Sequence, residues 1–511
     1  MTAGSSASDA FDSDTFDYVV VGAGSAGCVT ASRLAAAGAR VALLEAGGTD
    51  RRPDVRLPLG IASLFATANW RYPMLSDPSK HNQASAFASG RIIGGSGSIN
   101  AMVYVRGRAS DYRQWAHAGA AGWDHEDVLP AFRALENWCD GPDEYRGSGG
   151  PIDVSWCGHT HPLDAGFLDA AAEAGFARNP DHNGASQLGA GPSQVNQRRG
   201  LRCSAATGFL RPLPADRRPH VITRATVDRV VLARGRAIGV MTRGRFLRAE
   251  REVILSAGAI GTPAVLLRSG IGPGGTVADL PGVGQNLQDH LVVAQHWSSH
   301  VPTVNSMTAR GAVRAVSSLA TRGSGPLTIA PFESQLFTED FQIAMTPVHY
   351  QLDPLRGRFR IERTDAFTVY TVLLRPRSRG HIELRDGRPV LHHHRLADAQ
   401  DRADLLSGTA LARELVQSTS AMRPMAGRYL DDAGAFDADW LGHKEASIYH
   451  AVGTCRMGAD ENTVVGPDLR VHSVDGLRVA DASIMPNITS GNTNAPSMMI
   501  GYRAADILLH G

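Results

Sequence analysis

The sequence predicts an α/β domain built on a parallel sheet, joined to an α+β part built on an antiparallel one. Three observations carry this. The apolar run Tyr18 to Val21, a glycine-rich turn, a helix through Leu34 and a second run from Val41 to Glu45 alternate as a βαβ unit does. Much later, Glu252 to Ser256 reads as a strand whose turn, Ala257–Gly258, leads into a helix from Thr262 to Leu267 and returns the chain to that sheet. Lastly, Phe367 to Leu374 and His381 to Leu384 read as strands joined through Ser378 to Gly380, a hairpin of an antiparallel sheet. Leu405, Leu406, Leu411 and Leu415 place an amphipathic helix over it at 399–419. A chain of 511 residues requires about two to four domains, and 43% hydrophobic residues supply a large core.

Within the βαβ unit, Gly22, Gly24 and Gly27, with Ser25 between them, form a GxGxxG turn. Such glycines let backbone N–H groups and a helix N-terminus approach a pyrophosphate, the Rossmann-like fingerprint. Glu45 ends the second strand eighteen residues past Gly27, where a carboxylate accepts hydrogen bonds from a ribose. A dinucleotide cofactor follows, and the motif alone leaves FAD and NAD open.

Composition removes several other classes. Lys plus Arg number 51 against 50 Asp plus Glu, which speaks against a nucleic-acid or anionic-membrane partner. The five cysteines, at 28, 139, 157, 203 and 455, include no CxxC pair and read as reduced thiols of a cytoplasmic protein, without disulfides or a zinc site. Met1 to Thr15 has neither a basic nor an apolar leader segment and reads as a disordered tail. No apolar run reaches the roughly 18 residues of a membrane span.

Residues 51–89 lack periodicity and read as a loop or lid. The glycine-rich segment Gly90 to Tyr104 is framed by Ile92, Ile93, Ile99 and Val103, hence an anchored nest of N–H groups suited to anions or a polar ring edge. Val128, Leu129, Phe132, Leu135 and Trp138 mark a surface helix over 123–138. The basic stretch 198–211 fits either a solvated face or a phosphate-side role, and 221–232 reads as two short strands.

Gly90 to Gly107 and Gly258 to Gly272 resemble the two signature segments of the glucose-methanol-choline (GMC) flavoprotein oxidoreductases, and the fingerprint and C-terminal segments match in the same order. The resemblance implies an FAD-binding domain over 16–290 with lid and substrate-domain insertions at about 151–215. A substrate-binding domain follows at 291–445, and 446–511 return to the FAD domain carrying the catalytic pair. It also implies cofactor contacts from Arg91, Gly95, Asn100, Ala101, Met102 and Val103 along the flavin and pyrophosphate, and from the Val227 backbone at the adenine. Asp481 and Ala482 are implied near the ribityl chain, with Asn494 and Ala495 beside the isoalloxazine. Ile99 stands where some members carry a flavin-linking histidine, so a noncovalent FAD is expected.

The same resemblance aligns His450 with the catalytic histidine and Asn492 with a second position that holds His or Asn. Oxidation of a small or medium-sized primary alcohol to the aldehyde needs the hydroxyl proton removed as hydride leaves for flavin N5. An imidazole of pKa near 7 suits that removal, and Asn492 would donate to the developing alkoxide. O2 or another acceptor would reoxidise the flavin. Two alternatives stand beside this: a hydroxynitrile-lyase-type enzyme that keeps FAD as a structural element, and an NAD-dependent dehydrogenase. Glu333 is weighed as a pocket carboxylate against a solvated one. The triplet His392–His394 is read as packing or solvated histidines rather than metal ligands, because neighbours on a strand point to opposite faces.

Overall fold

The computed structural model describes residues 14–75, 85–158, 160–328, 332–431 and 436–511. The expected tail lies outside them through residue 13, while Asp14 and Thr15 already belong to the first strand, β1 (Asp14–Val21). β1 runs parallel to β2 (Val41–Glu45) on one side and to the strand Arg245–Leu255 on the other. His220–Thr223 extends the parallel order beyond β2, and Leu477–Val479 pairs in parallel with the end of Arg245–Leu255. Val227–Ala233 and Arg236–Thr242 complete the sheet as antiparallel strands. Val19, Val20 and Val41 to Leu44 are all buried, as a parallel sheet covered on both faces requires. One cover is α1 (Ser25–Ala36), which lies against the helix Asn494–His510. Thr30 Oγ1 donates to the Gly501 carbonyl at 3.0 Å, and Arg33 pairs with Asp506 at 2.8 Å.

A second sheet is antiparallel throughout. Its order is Ala426–Tyr429, Leu291–Ser299, Ala366–Leu373, Phe341–Thr346, Ser334–Phe337 and Gly189–Pro192, with Glu445–Ser447 also on Leu291–Ser299. Leu163 and Phe167 of the helix Pro162–Glu173, and Ala412 and Leu415 of Ala399–Gln417, bury one face of it with Trp297, Ile343 and Phe367.

The predicted hairpin is not formed. Ala366–Leu373 pairs instead with Leu291–Ser299 and Phe341–Thr346, and His381–Arg385 pairs with Arg388–His392 in a separate small sheet. The turn that decides this is Asp386–Gly387, both at positive φ (50° and 70°), the two-residue loop whose twist matches its flanking strands. The 51–89 segment is also more ordered than a loop: its described part holds the helix Ile61–Thr67 and the paired strands Tyr72–Met74 and Ser85–Phe87. Residues 76–84 of that expected lid lie outside the described residues.

Candidate active site

The C-terminal end of β1, the Gly90–Tyr104 loop and the second sheet enclose a cleft of about 1080 Å³. Small-molecule pockets commonly measure about 300–1,000 Å³, so this one has room for a dinucleotide with a substrate beside it.

At one end lies the fingerprint. Gly22 has φ 100°, and a Cβ there would lie 2.5 Å from the Ser256 carbonyl oxygen, so only glycine fits the turn. α1 starts without a side-chain cap, leaving its first N–H groups for a ligand. The Glu45 carboxylate is buried and accepts from the N–H groups of Ala23 (3.1 Å) and Gly47 (2.8 Å). Burial outweighs both bonds and pushes its carboxyl up to about 7. Gly95 meets this turn from the second glycine loop: a Cβ on it would lie 2.7 Å from Gly24 Cα. Ser25 Oγ donates to Asn494 Oδ1 at 2.7 Å, tying the start of α1 to the start of Asn494–His510. Met102, at φ 64°, is held by its N–H to Asn100 Oδ1 (3.0 Å), which also accepts from the buried Arg202 guanidinium (2.6 Å). Asp481 accepts from the Gly258 N–H (2.8 Å) and the Thr262 hydroxyl (2.5 Å).

Gly22, Gly24, Ser25, Glu45, Gly95, Asn100, Ala101, Met102, Val103, Val227, Asp481, Ala482 and Asn494 all line the cleft, together with His450 and Asn492. Gly27, Arg91 and Ala495 do not. Gly27 is where helix meets strand, with the Gly22 carbonyl 2.0 Å from where its Cβ would be; the Arg91 guanidinium stacks 4.7 Å from the Trp70 ring centre; Ala495 is buried in the core.

At the other end, His450 is held by a chain of rings. His290 Nε2 lies 3.2 Å from the Leu374 carbonyl oxygen, which only an N–H satisfies. Burial lowers the His290 pKa to about 4, so the ring is neutral and its Nδ1 is an acceptor. That Nδ1 lies 2.9 Å from His450 Nδ1, which must therefore donate. The remaining nitrogen, His450 Nε2, is left as an acceptor at the cleft wall, where it accepts from Asn492 Nδ2 at 3.3 Å. Burial first, and then His290, holds the His450 imidazole well below its ordinary pKa rather than near 7 as expected from sequence. Neutral pH therefore favours its base form.

The backbone under this pair is fixed. Tyr449 takes a left-handed conformation, φ 65°, that costs a non-glycine residue about 1–3 kcal/mol. Its N–H donates to Ser447 Oγ (2.8 Å), and the next N–H, of His450, donates to Asp289 Oδ1 (2.7 Å). Ser447 in turn donates to Asp289 Oδ2. The turn carrying Asn492 is pinned by Asp111, whose buried carboxylate accepts from the Ser490 N–H (2.7 Å) and hydroxyl (2.9 Å), and by Gln288, whose Oε1 accepts from the Ile488 N–H (3.1 Å). Asn492 Oδ1 is buried without a protein partner among the described residues. Sequence reasoning missed His290, Asp289, Gln288 and Asp111. The cue available for the first three was the density of polar residues in Gln285–His290, a stretch read only as a connection.

Glu333 is neither on the cleft wall nor solvated. It is 3% exposed, faces Asp164 and accepts from the His161 N–H (3.3 Å), and burial raises its carboxyl to about 7. Among the described residues, the carboxylates that do line the cleft, Glu45, Asp228 and Asp481, belong to the first sheet and its loops.

Comparison with known proteins is consistent along the whole chain. Residues 16–292 and 376–501 match the N- and C-terminal family models described as GMC oxidoreductase. Oxygen-dependent choline dehydrogenase of Photobacterium profundum is 35% identical over 97% of this chain and 93% of its own, and that of Vibrio vulnificus is 36% identical over 97% and 94%. The crystal structure of pyridoxine 4-oxidase from Mesorbium loti superposes with a TM-score of 0.87 at 28% identity, covering 97% of this chain and 99% of that one. Formate oxidase shares the fold at a TM-score of 0.88 and 23% identity, covering 98% of this chain and 99% of its own.

Proposed function

Because the chain belongs to the GMC oxidoreductase family and is an FAD-dependent alcohol oxidoreductase, we propose that it oxidises an uncharged primary alcohol to the aldehyde with His450 as the base. Membership in the family decides between flavin and nicotinamide in favour of FAD. Gly22, Gly24, Ser25, Glu45 and Val227 would hold the adenosine diphosphate half, and Gly95, Asn100 to Val103, Asp481, Ala482 and Asn494 the flavin half. FAD supplies the two-electron acceptor for the hydride. Ile99, one of the signature-loop residues on the cleft wall, has no nucleophile, which supports a noncovalent cofactor.

The observation that carries the reading is the His450 lone pair. Its Nδ1–H is committed to His290, so Nε2, which accepts from Asn492 Nδ2 in the structure, is the nitrogen left to take a substrate hydroxyl proton. A substrate hydroxyl that replaces this contact would give its proton to Nε2 and accept from Asn492 Nδ2. Asn492 thus favours the alkoxide as negative charge develops. The second domain lines its side of the cleft with Phe332, Val348, Tyr350, Leu352 and Phe359 and, among the described residues, no carboxylate. An aryl or alkyl alcohol is desolvated there at little cost, whereas a quaternary ammonium would lack a counter-charge.

An anaerobic absorbance titration of the purified enzyme with aryl, furfuryl, aliphatic and choline alcohols tests this. Bleaching of the flavin band by the uncharged alcohols at lower concentration than by choline is the expected result. Preferential bleaching by choline would sink the uncharged substrate, and no bleaching by any alcohol would sink the redox role of His450.

A further inference from the structure

The hairpin of His381–Arg385 and Arg388–His392 plays no part in the chemistry above, although Gly387, Arg388 and Pro389 border the cleft. Its Asp386–Gly387 turn sets His381 directly opposite His392. The alternation foreseen from sequence sends His393 inward, Nε2 3.4 Å from Asp289 Oδ2. It also leaves His392 and His394 together on the outer side, where His381 joins them. The rings of His381 and His392 stack at 4.1 Å and 11°, and the His394 ring lies 5.6 and 6.0 Å from them. One donor nitrogen from each of the three lies within 4.8 Å of the other two.

We infer that His381, His392 and His394 form a binding site for one divalent transition-metal ion of the Zn²⁺, Ni²⁺ or Cu²⁺ class. Three imidazoles are borderline nitrogen donors that suit these ions and not Mg²⁺ or Ca²⁺. Two nitrogens on a tetrahedral Zn²⁺ stand about 3.3 Å apart for bonds of about 2.0–2.1 Å. Closing that difference takes a turn of His394, the exposed member that leaves an entry path from solvent, and a tilt of His381 out of its parallel stack on His392, so that both lone pairs meet one ion. Glu383 Oε1 lies 2.9 Å from His392 Nε2 and is itself paired with Arg385 at 2.5 Å. A carboxylate in that place orients a ligating ring and fixes which nitrogen faces the metal.

The test uses the tag-free, FAD-loaded enzyme in a Cys139→Ser background, since Cys139 is an exposed thiol. Equilibrium dialysis against Zn²⁺ is expected to give one ion per chain. His381→Gln and His394→Gln should each weaken binding by about tenfold or more with the flavin spectrum unchanged. Cu²⁺ bound to the unsubstituted cluster should show nitrogen hyperfine structure in electron paramagnetic resonance, a readout that does not depend on how the variants fold. Isotherms identical in both variants and the parent, or a Cu²⁺ spectrum without nitrogen coupling, would overturn the inference.

Discussion

At the scale of single residues, the site depends on which nitrogen of His450 bears the proton. His450→Asn should lower kcat by about 10²–10⁴-fold, as loss of a positioned base does, with FAD still bound. Asn492→Ala should cost about 10²–10³-fold in kcat, as loss of a donor to a developing oxyanion does. Steady-state kinetics with the best alcohol of the panel checks both. The pH profile gives a sharper reading. The base must be unprotonated, so kcat/KM is full above its pKa and falls as pH drops through it. Burial and His290 depress that pKa, and the acid limb should lie below pH 6.5. In His290→Asn the neighbouring ring is gone and the limb should move upward; an unmoved limb with unchanged kcat would show that His290 does not set the base's protonation state. His450 and Asn492 were legible in the sequence as a resemblance. Their pKa setting was not, because it comes from a residue 160 positions away that only the fold brings to 2.9 Å.

Among elements, the nucleotide-binding βαβ unit was the most legible, since its glycines, its apolar strands and Glu45 each answer a local requirement. The hairpin was misread for a reason equally local. Ser378–Gly380 reads as a turn, but the Asp-Gly pair at 386–387 is the stronger hairpin cue, and both its residues take positive φ. A comparison of two glycines tests how the glycine loops work. Gly38 and Gly95 both have positive φ, but a Cβ on Gly38 meets nothing within 4 Å, and one on Gly95 strikes Gly24 Cα. Gly38→Ala should lose about 1 kcal/mol of stability through strain alone and keep its flavin. Gly95→Ala should lose flavin as well, read as the ratio of visible to protein absorbance. Glu45→Gln keeps the shape of the strand end but removes the charge; FAD affinity should fall about 10–100-fold, the range of a charged hydrogen bond.

For the whole molecule, the cleft lies between two sheets, and FAD bound there would link them. At a free concentration of 100 times its Kd, a ligand of the native state adds about 2.7 kcal/mol of stability. Stripping FAD should therefore lower the thermal midpoint, and hydrogen exchange should rise first in the Gly90–Tyr104 loop and the Asn492 turn. Domain organisation was hard to read because the strands of each sheet are dispersed along the chain. Gly189–Pro192 precedes by a long way the strand Ser334–Phe337 that it pairs with, and no local pattern announces such a partner.

The same dispersal bears on how the chain is made. Thr30 of α1 bonds to Gly501, 471 positions later, and Leu477–Val479 completes the pairing of a strand laid down more than two hundred residues before it. On the ribosome the fingerprint strand emerges early with α1 beside it, whereas the helix that packs against α1 is among the last segments translated. A stop codon just before Asn494 removes the partner of Ser25 and the helix that covers α1, so a chain ended there should hold flavin no better than one with a lesion in its glycines.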